Sequence, residues 1–360
     1  MPAKPTKTYF AEQLAGEMPL RQKTSSQLCS LAADIRVAEP WSVLTETQLI
    51  AVQRKKGSEP DFVSVLGAAG EHRGIFVYPG IRGYAWLQDM LGAEREAANR
   101  LLLTENESMQ ANFLNDDELT DLDVGLMKGC RYDPTPGCIQ FRSVRRGYFP
   151  WYINEEEGRR LCECLDAFMS AVLSGLIFAN REELWPESQP VMPMMIREKG
   201  EWVVNMLNMR LTRVNEPNLW VPKEALFALP SGPKSGAICL GDHILPGCAG
   251  LENERPTVLH MLAAVDHRSG FAYPPQLRTP GELWGVGASN VLLEAIRVRG
   301  AIPENVFVRK AHHAELLTEL ARVVGFQIQV KRHLPMLNEL FREVSRLGAP
   351  PSGTKSRLVH

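Results

Sequence analysis

The chain has 360 residues, 44% hydrophobic and 23% charged, a globular composition that excludes collagenous, coiled-coil and disordered chains and leaves room for about two domains. Its formal net charge of −2 is unevenly placed: residues 256–360 hold 13 basic against 8 acidic residues, and the preceding 255 hold 27 against 34. The C-terminal part therefore leans towards polyanions, on a modest scale.

Residues 1–27, with Pro2, Pro5 and Pro19 among scattered Lys and Ser, read as a loosely held arm. Leu28, Leu31, Ile35 and Val37 then give a helical apolar face that Pro40 ends before Trp41. Short strands are expected at 49–53, 62–66 and 74–78, as an antiparallel meander, followed by helices at about 82–102, 116–128 and 154–178. The last is the clearest element: Asn154 can cap it, Glu155, Glu156 and Glu157 suit its positive end, and Leu161, Leu165, Phe168 and Val172 share one face. The apolar run from 165 to 179 falls short of the roughly 20 residues that span a bilayer, so it reads as a buried helix with no membrane partner. Strands are expected at 191–197 and 202–207, around the Glu198-Lys199-Gly200 turn.

A Pro/Gly-rich stretch then marks the division, with an α+β domain over 28–216, a connection over 217–255, an α/β domain over 256–348 and a tail over 349–360. In the second domain a strand at 259–265 ends in Asp266, and the chain returns at 271–273. A third antiparallel strand between Tyr273 and Leu283 is not evident. A helix closed by Gly300, a strand at 305–309, a helix closed by Gly325, a strand at 326–331 and a final helix from Pro335 complete the order. Alternation of this kind predicts a mixed sheet with helices on its faces.

Two resemblances follow. Trp41, the 65–74 segment and the run Phe141-Arg142-Ser143-Val144-Arg145-Arg146-Gly147-Tyr148-Phe149-Pro150-Trp151-Tyr152 resemble an uncharacterised bacterial protein family. That likeness spans most of 28–347 and implies an α+β domain joined to an α/β domain, without an activity. The second concerns the C-terminal half alone: Ala264-Val265-Asp266-His267-Arg268-Ser269-Gly270, 299–306 and 324–328 resemble the ribonuclease-H-like core of transposases and integrases. That family implies a first-strand Asp, an acid after the fourth strand and an acid on a late helix, together holding two divalent metals. Asp266 matches the first position and Glu339 or Glu343 the third, but Arg309-Lys310-Ala311 stands where the second acid belongs.

For Asp266 the plainer role is to organise the turn through Arg268, Ser269 and Gly270. Arg309, Lys310, Lys331 and Arg332 end neighbouring strands and form a candidate phosphate-binding patch, with a solvated rim as the alternative. Arg142, Arg145 and Arg146 beside Tyr148, Phe149, Trp151 and Tyr152 form the densest basic-aromatic cluster; it offers a stacking surface for single-stranded nucleic acid, or packing at the entry of the 154–178 helix. Seven cysteines give neither a disulfide framework nor zinc spacing, and no signal segment is evident, so a cytoplasmic protein is expected. No reaction can be named from these residues. They favour a non-enzymatic binding or regulatory module with weak nucleic-acid contact and no cofactor. The alternatives are a nuclease using Mg or Mn at Asp266 with Glu339 or Glu343, and a protein-interaction module.

Overall fold

The computed structural model describes residues 20–70, 72–92, 105–134, 137–178, 181–186, 190–209, 226–227, 229–250, 254–278 and 280–348. They divide into two compact units, one from Met1–Val214 and Gly250–Pro256, the other from Asn215–Ala249 and Thr257–Val359. The first 19 residues of the expected arm, the second half of the helix expected at 82–102 and the expected tail lie outside the described residues.

The first unit is an α+β fold. Helix α1 (Gln22–Ala38) buries Leu28, Cys29, Ala32 and Ile35 and stops where Glu39 turns left-handed ahead of Pro40. It begins inside the expected arm because the Glu155 carboxylate accepts from the Arg21 N–H at 2.8 Å and the Thr24 hydroxyl at 2.9 Å. Val37, expected on the apolar face, is 86% exposed. Strands β1 (Ile50–Gln53), β2 (Asp61–Leu66) and β3 (Arg73–Tyr78) form the expected meander, with α2 (Gly80–Leu91) after them. Next come β4 (Ser108–Leu114), α3 (Asp121–Cys130), β5 (Cys138–Val144), β6 (Trp151–Tyr152), α4 (Glu155–Leu173), α5 (Arg181–Leu184), β7 (Val191–Glu198) and β8 (Glu201–Asn208). Strands β4 and β5 extend the meander beyond what was expected, and the sheet runs β6-β5-β4-β3-β2-β1-β7-β8, antiparallel except for the β1–β7 pair.

That order requires α4 to carry the chain from the β6 edge to the far side of β1. Six strand spacings are about 29 Å, and its 19 residues rise about 28 Å. Asn154 and Glu157 close a capping box at its start, with the Glu157 N–H donating to Asn154 Oδ1 at 2.9 Å and the Asn154 N–H to Glu157 Oε2 at 3.1 Å. Its buried face of Leu161, Leu165 and Phe168 shares one core with α1 and one face of the sheet.

The second unit is an α/β fold. Its elements are β9 (Ala237–Ala249), β10 (Thr257–Asp266), β11 (Gln276–Leu277), α6 (Trp284–Arg299), β12 (Asn305–Val308), α7 (Ala311–Leu316), α8 (Thr318–Val324), β13 (Gln327–Val330) and α9 (Pro335–Gly348). The sheet order is β11-β10-β9-β12-β13; β9, β10 and β11 are antiparallel, and β12 and β13 run parallel to β9. Two expectations give way here. The 217–255 stretch, read as a connection, supplies the central strand β9, whose Gly241 and Pro246 disguise it. Gly241 is needed where it stands, because a Cβ there would come within 2.6 Å of Leu337 Cδ2 on α9. The third antiparallel strand also exists, as the two-residue β11, too short to announce itself. Alternation along β9 splits its side chains between two cores: Ile238 and Leu240 face the α6 side, and Cys239 faces Leu334, Leu337 and Phe341.

Candidate functional site

In the first unit a cavity of about 460 Å³ opens beside α1, bounded by residues of α1, the end of α3 and the start of β3. Along α1, Ser26, Cys29, Ser30, Ala33 and Arg36 line it at helical spacing, a small and polar stripe next to the apolar one. Arg36 enters over the Phe113 ring, 5.9 Å from its centroid, and Arg73 over the Trp41 ring at 5.4 Å. The two rings are themselves 5.1 Å apart, so one aromatic pair supports two guanidinium groups. Arg36 Nη1 is buried and has no hydrogen-bond partner among the described residues. A third cation, Arg131, follows α3 in the left-handed conformation at φ 56°. Glu39 and Asp133 on the same wall leave an excess of positive charge.

Gly137 is part of this arrangement. A Cβ there would fall 1.9 Å from Arg36 Nη2, and its φ of 122° suits glycine. Gly137→Ala is therefore expected to displace the Arg36 guanidinium from its seat on Phe113. The change should appear as weaker protection of Arg36 from an arginine-specific dicarbonyl reagent.

The cavity also holds the thiols of Cys29 and Cys130. The neighbouring Cys29 thiol, with help from the Ser25 and Ser26 hydroxyls, lowers Cys130 against the effect of burial. The same pairing, together with burial, raises Cys29.

The sequence-derived candidates fall elsewhere. Arg142 is buried, and its two Nη atoms bond the Asp123 carboxylate at 2.7 Å each while the guanidinium lies 4.7 Å from the Tyr152 ring centroid. A guanidinium committed in this way has no face for a nucleic acid, so its expected binding role gives way to a packing one. Arg145 bonds Glu157 at 2.9 Å, and Arg146 pairs with Glu105. In the second unit Arg309 bonds Asn338 and lies 5.8 Å from the Phe341 ring centroid, and Lys331 lies 3.3 Å from that of Phe307. Lys310 precedes α7 half-buried, and Arg332 is exposed. The Lys331 N–H donates to the Val308 carbonyl, which brings the ends of β12 and β13 together as expected.

Asp266 ends the second strand of its sheet, not the first, because β9 precedes it. Its Oδ1 accepts from the Arg268 N–H, the Ser269 N–H and the Ser269 hydroxyl at 2.8–3.0 Å, and its Oδ2 pairs with Arg299 at 2.6 Å. Burial pushes its carboxyl up, but the Ser269 and Arg268 hydrogen bonds and Arg299 outweigh that and hold it below the usual range. Glu339 and Glu343 lie exposed on α9, and Glu343 pairs with Arg346. The three acids thus form no ligand set, and among the described residues no group of three or more His, Cys, Asp or Glu is placed to hold a metal ion. The residues present do not fit the Mg or Mn of the nuclease alternative.

The acid at the centre of β9 is Asp242, which sequence reading passed over because it lay in the presumed connection. It accepts from His260 Nε2 at 2.9 Å and Trp284 Nε1 at 3.3 Å, while Arg278 donates to His260 Nδ1 at 2.9 Å. Trp284 in turn stacks on His313 with centroids 3.7 Å apart. This constellation is closed on itself by hydrogen bonds, whereas the arginine cavity is open.

The architecture is thus an α+β unit and an α/β unit, in each of which the comparisons find one domain. Residues 26–197 match the family model for a domain of unknown function, DUF7309, and residues 245–345 match that for a second domain of unknown function, DUF6930. The first match contains every residue that lines the arginine cavity. No curated protein and no solved structure matches the chain. Among the described residues no helix is long and apolar enough to cross a membrane.

Proposed function

We propose that the first unit binds a small organic anion carrying phosphate or carboxylate groups, and that the chain serves as a binding or regulatory module. The observation that carries this reading is the convergence of Arg36, Arg73 and Arg131 on one cavity, with Arg36 Nη1 buried and lacking a partner among the described residues. A buried donor without a partner is costly, and a bound oxyanion would satisfy it with a charge-assisted bond. A cavity of about 460 Å³ admits a metabolite rather than a polymer. Calorimetric titration of the full chain with pyrophosphate, citrate and a nucleoside monophosphate at low salt tests this. At least one is expected to bind, and Arg36→Ala to weaken it by about 10- to 100-fold. Lys331→Ala in the other unit is expected to leave it unchanged. Absence of binding by all three, or equal binding by Arg36→Ala, would overturn the reading.

A second reading concerns the second unit alone. The order β11-β10-β9-β12-β13, with an antiparallel first three strands and parallel later ones, supports a ribonuclease-H-like core. The fate of Asp266, Glu339 and Glu343 favours one without metal chemistry. Arg309, Lys310, Lys331 and Arg332 would give such a core weak, salt-sensitive contact with nucleic acid. Labelled single- and double-stranded DNA and RNA should then be retained at low salt and released by moderate salt. No retention at low salt would remove the nucleic acid from this proposal.

A further inference from the structure

The wall of the arginine cavity includes the C-terminal end of α1: Arg36 and Val37 from its last turn, and Glu39, which follows it. The Glu39 N–H reaches back to the Ile35 carbonyl at 3.1 Å, and Pro40, which has no N–H, stands where the donor to the Arg36 carbonyl would be. This end of the helix dipole is negative and favours a cation. Glu39 is fixed there in the left-handed conformation, and the Ser42 N–H and hydroxyl both donate to its carbonyl, at 2.9 and 2.7 Å. Its side chain is exposed, and among the described residues it makes no salt bridge with Arg36, Arg73 or Arg131. Asp133, the other acid on the wall, is already partnered, which leaves Glu39 to meet a cationic group. One cavity thus presents three guanidinium groups and a carboxylate that is not paired with them, the charge pattern that complements a molecule carrying both signs.

We propose that the ligand of this cavity is a small zwitterion of the acidic amino-acid class, with two anionic groups held by the arginines and an ammonium group held at Glu39. The inference rests on the anion-binding reading above and adds the positive group to it. Three guanidinium groups are more than one oxyanion needs, since each engages a carboxylate or phosphate with two parallel bonds. One of the anionic groups takes up the buried Arg36 Nη1. Ser26 and Ser30, one helical turn apart on α1, add hydroxyls for the remaining oxygen lone pairs. A primary ammonium carries three N–H donors and no acceptor, which suits a carboxylate at a helix C-terminus. To a ligand without that ammonium, Glu39 is a like charge beside the bound anion. The same carboxylate therefore attracts the amino acid and disfavours its uncharged analogue.

Calorimetric titration of the full chain with two matched pairs tests this: L-aspartate against L-malate, and phosphoserine against the phosphoglycerate of the same configuration. Within each pair a hydroxyl replaces the ammonium group. At least one amino acid is expected to bind about 10-fold or more tightly than its hydroxy partner at the same pH and salt. Glu39→Gln should bring that pair to within about 2-fold, weakening the amino acid and tightening the hydroxy acid. Arg36→Ala should weaken both members. If pyrophosphate or citrate binds but neither amino acid exceeds its hydroxy partner, or if the preference survives Glu39→Gln, the zwitterion is overturned while anion binding stands. If none of these anions binds, both readings fall together.

Discussion

Asp123→Ala is expected to lower the free energy of unfolding by about 3–5 kcal/mol, seen as a shift in the urea midpoint with little change in slope. The carboxylate and the Arg142 guanidinium are bonded at both ends, and their side chains are only 6% and 8% exposed. Asp123 also closes the start of α3: the Thr120 N–H and hydroxyl donate to its Oδ2 at 3.0 and 2.8 Å, and its own N–H donates to Thr120 Oγ1 at 3.3 Å. Alanine therefore removes half of a capping box, costing about 1 kcal/mol, and leaves a buried cation with only the Tyr152 ring and the Phe141 carbonyl beside it among the described residues. The second contribution is the larger. Arg142→Met in the Asp123→Ala background is expected to recover much of the loss, because an apolar side chain needs no counter-charge. A single-variant cost below about 1 kcal/mol, or strictly additive effects in the cycle, would show that the pair is not a desolvated strut.

The same residues show what the sequence could and could not reveal. Helix α4 was legible because its signals are local: the Asn154 and Glu157 cap and the spacing of Leu161, Leu165 and Phe168 lie within one short window. Strands β4 and β5 were not, although Met109, Ala111 and Phe113 alternate with Gln110 and Asn112. Their polar positions look solvent-facing but are buried, and for Asn112 and Gln140 burial is tolerable through partners distant in sequence, Asn112 Nδ2 to Gln140 Oε1 at 3.4 Å and Gln140 Nε2 to Asp123 Oδ2 at 3.5 Å. Strand β9 was hidden for a different reason. Its Gly241 signals a break locally, but tertiary packing demands it under Leu337. For the site, the α1 stripe of Ser26, Cys29, Ala33 and Arg36 could be read as a polar seam on a buried helix. Arg73, Cys130 and Arg131 arrive from β3 and α3, and only the fold sets their meeting. Asp266 behaves as its order Asp-His-Arg-Ser-Gly announces, as the acceptor that organises its turn.

Asp242 is where the sign of a stability change separates two classes of protein. Asp242→Ala is expected to cost about 3 kcal/mol or more, because it strands two buried donors, His260 Nε2–H and Trp284 Nε1–H. His260 has no easy escape. Arg278 can only donate, so Nδ1 must accept and the ring proton must stay on Nε2, pointing at the lost carboxylate. Asp242→Asn keeps one amide oxygen for the two donors and adds an N–H facing the histidine, so about half of the loss is expected to remain. A metal-ligating acid behaves in the opposite way: without its metal it is held among other acids at a cost, and its amide variant folds as well as the parent or better. Urea unfolding of the wild-type chain, Asp242→Ala and Asp242→Asn, each with and without magnesium, reads the difference directly. The hydrogen-bonded reading requires the order wild type, Asn, Ala in falling stability, with no response to magnesium. An Asp242→Asn chain as stable as the parent, paired with a wild type that magnesium stabilises, would return the second unit to the metal-dependent class despite the positions of Asp266, Glu339 and Glu343.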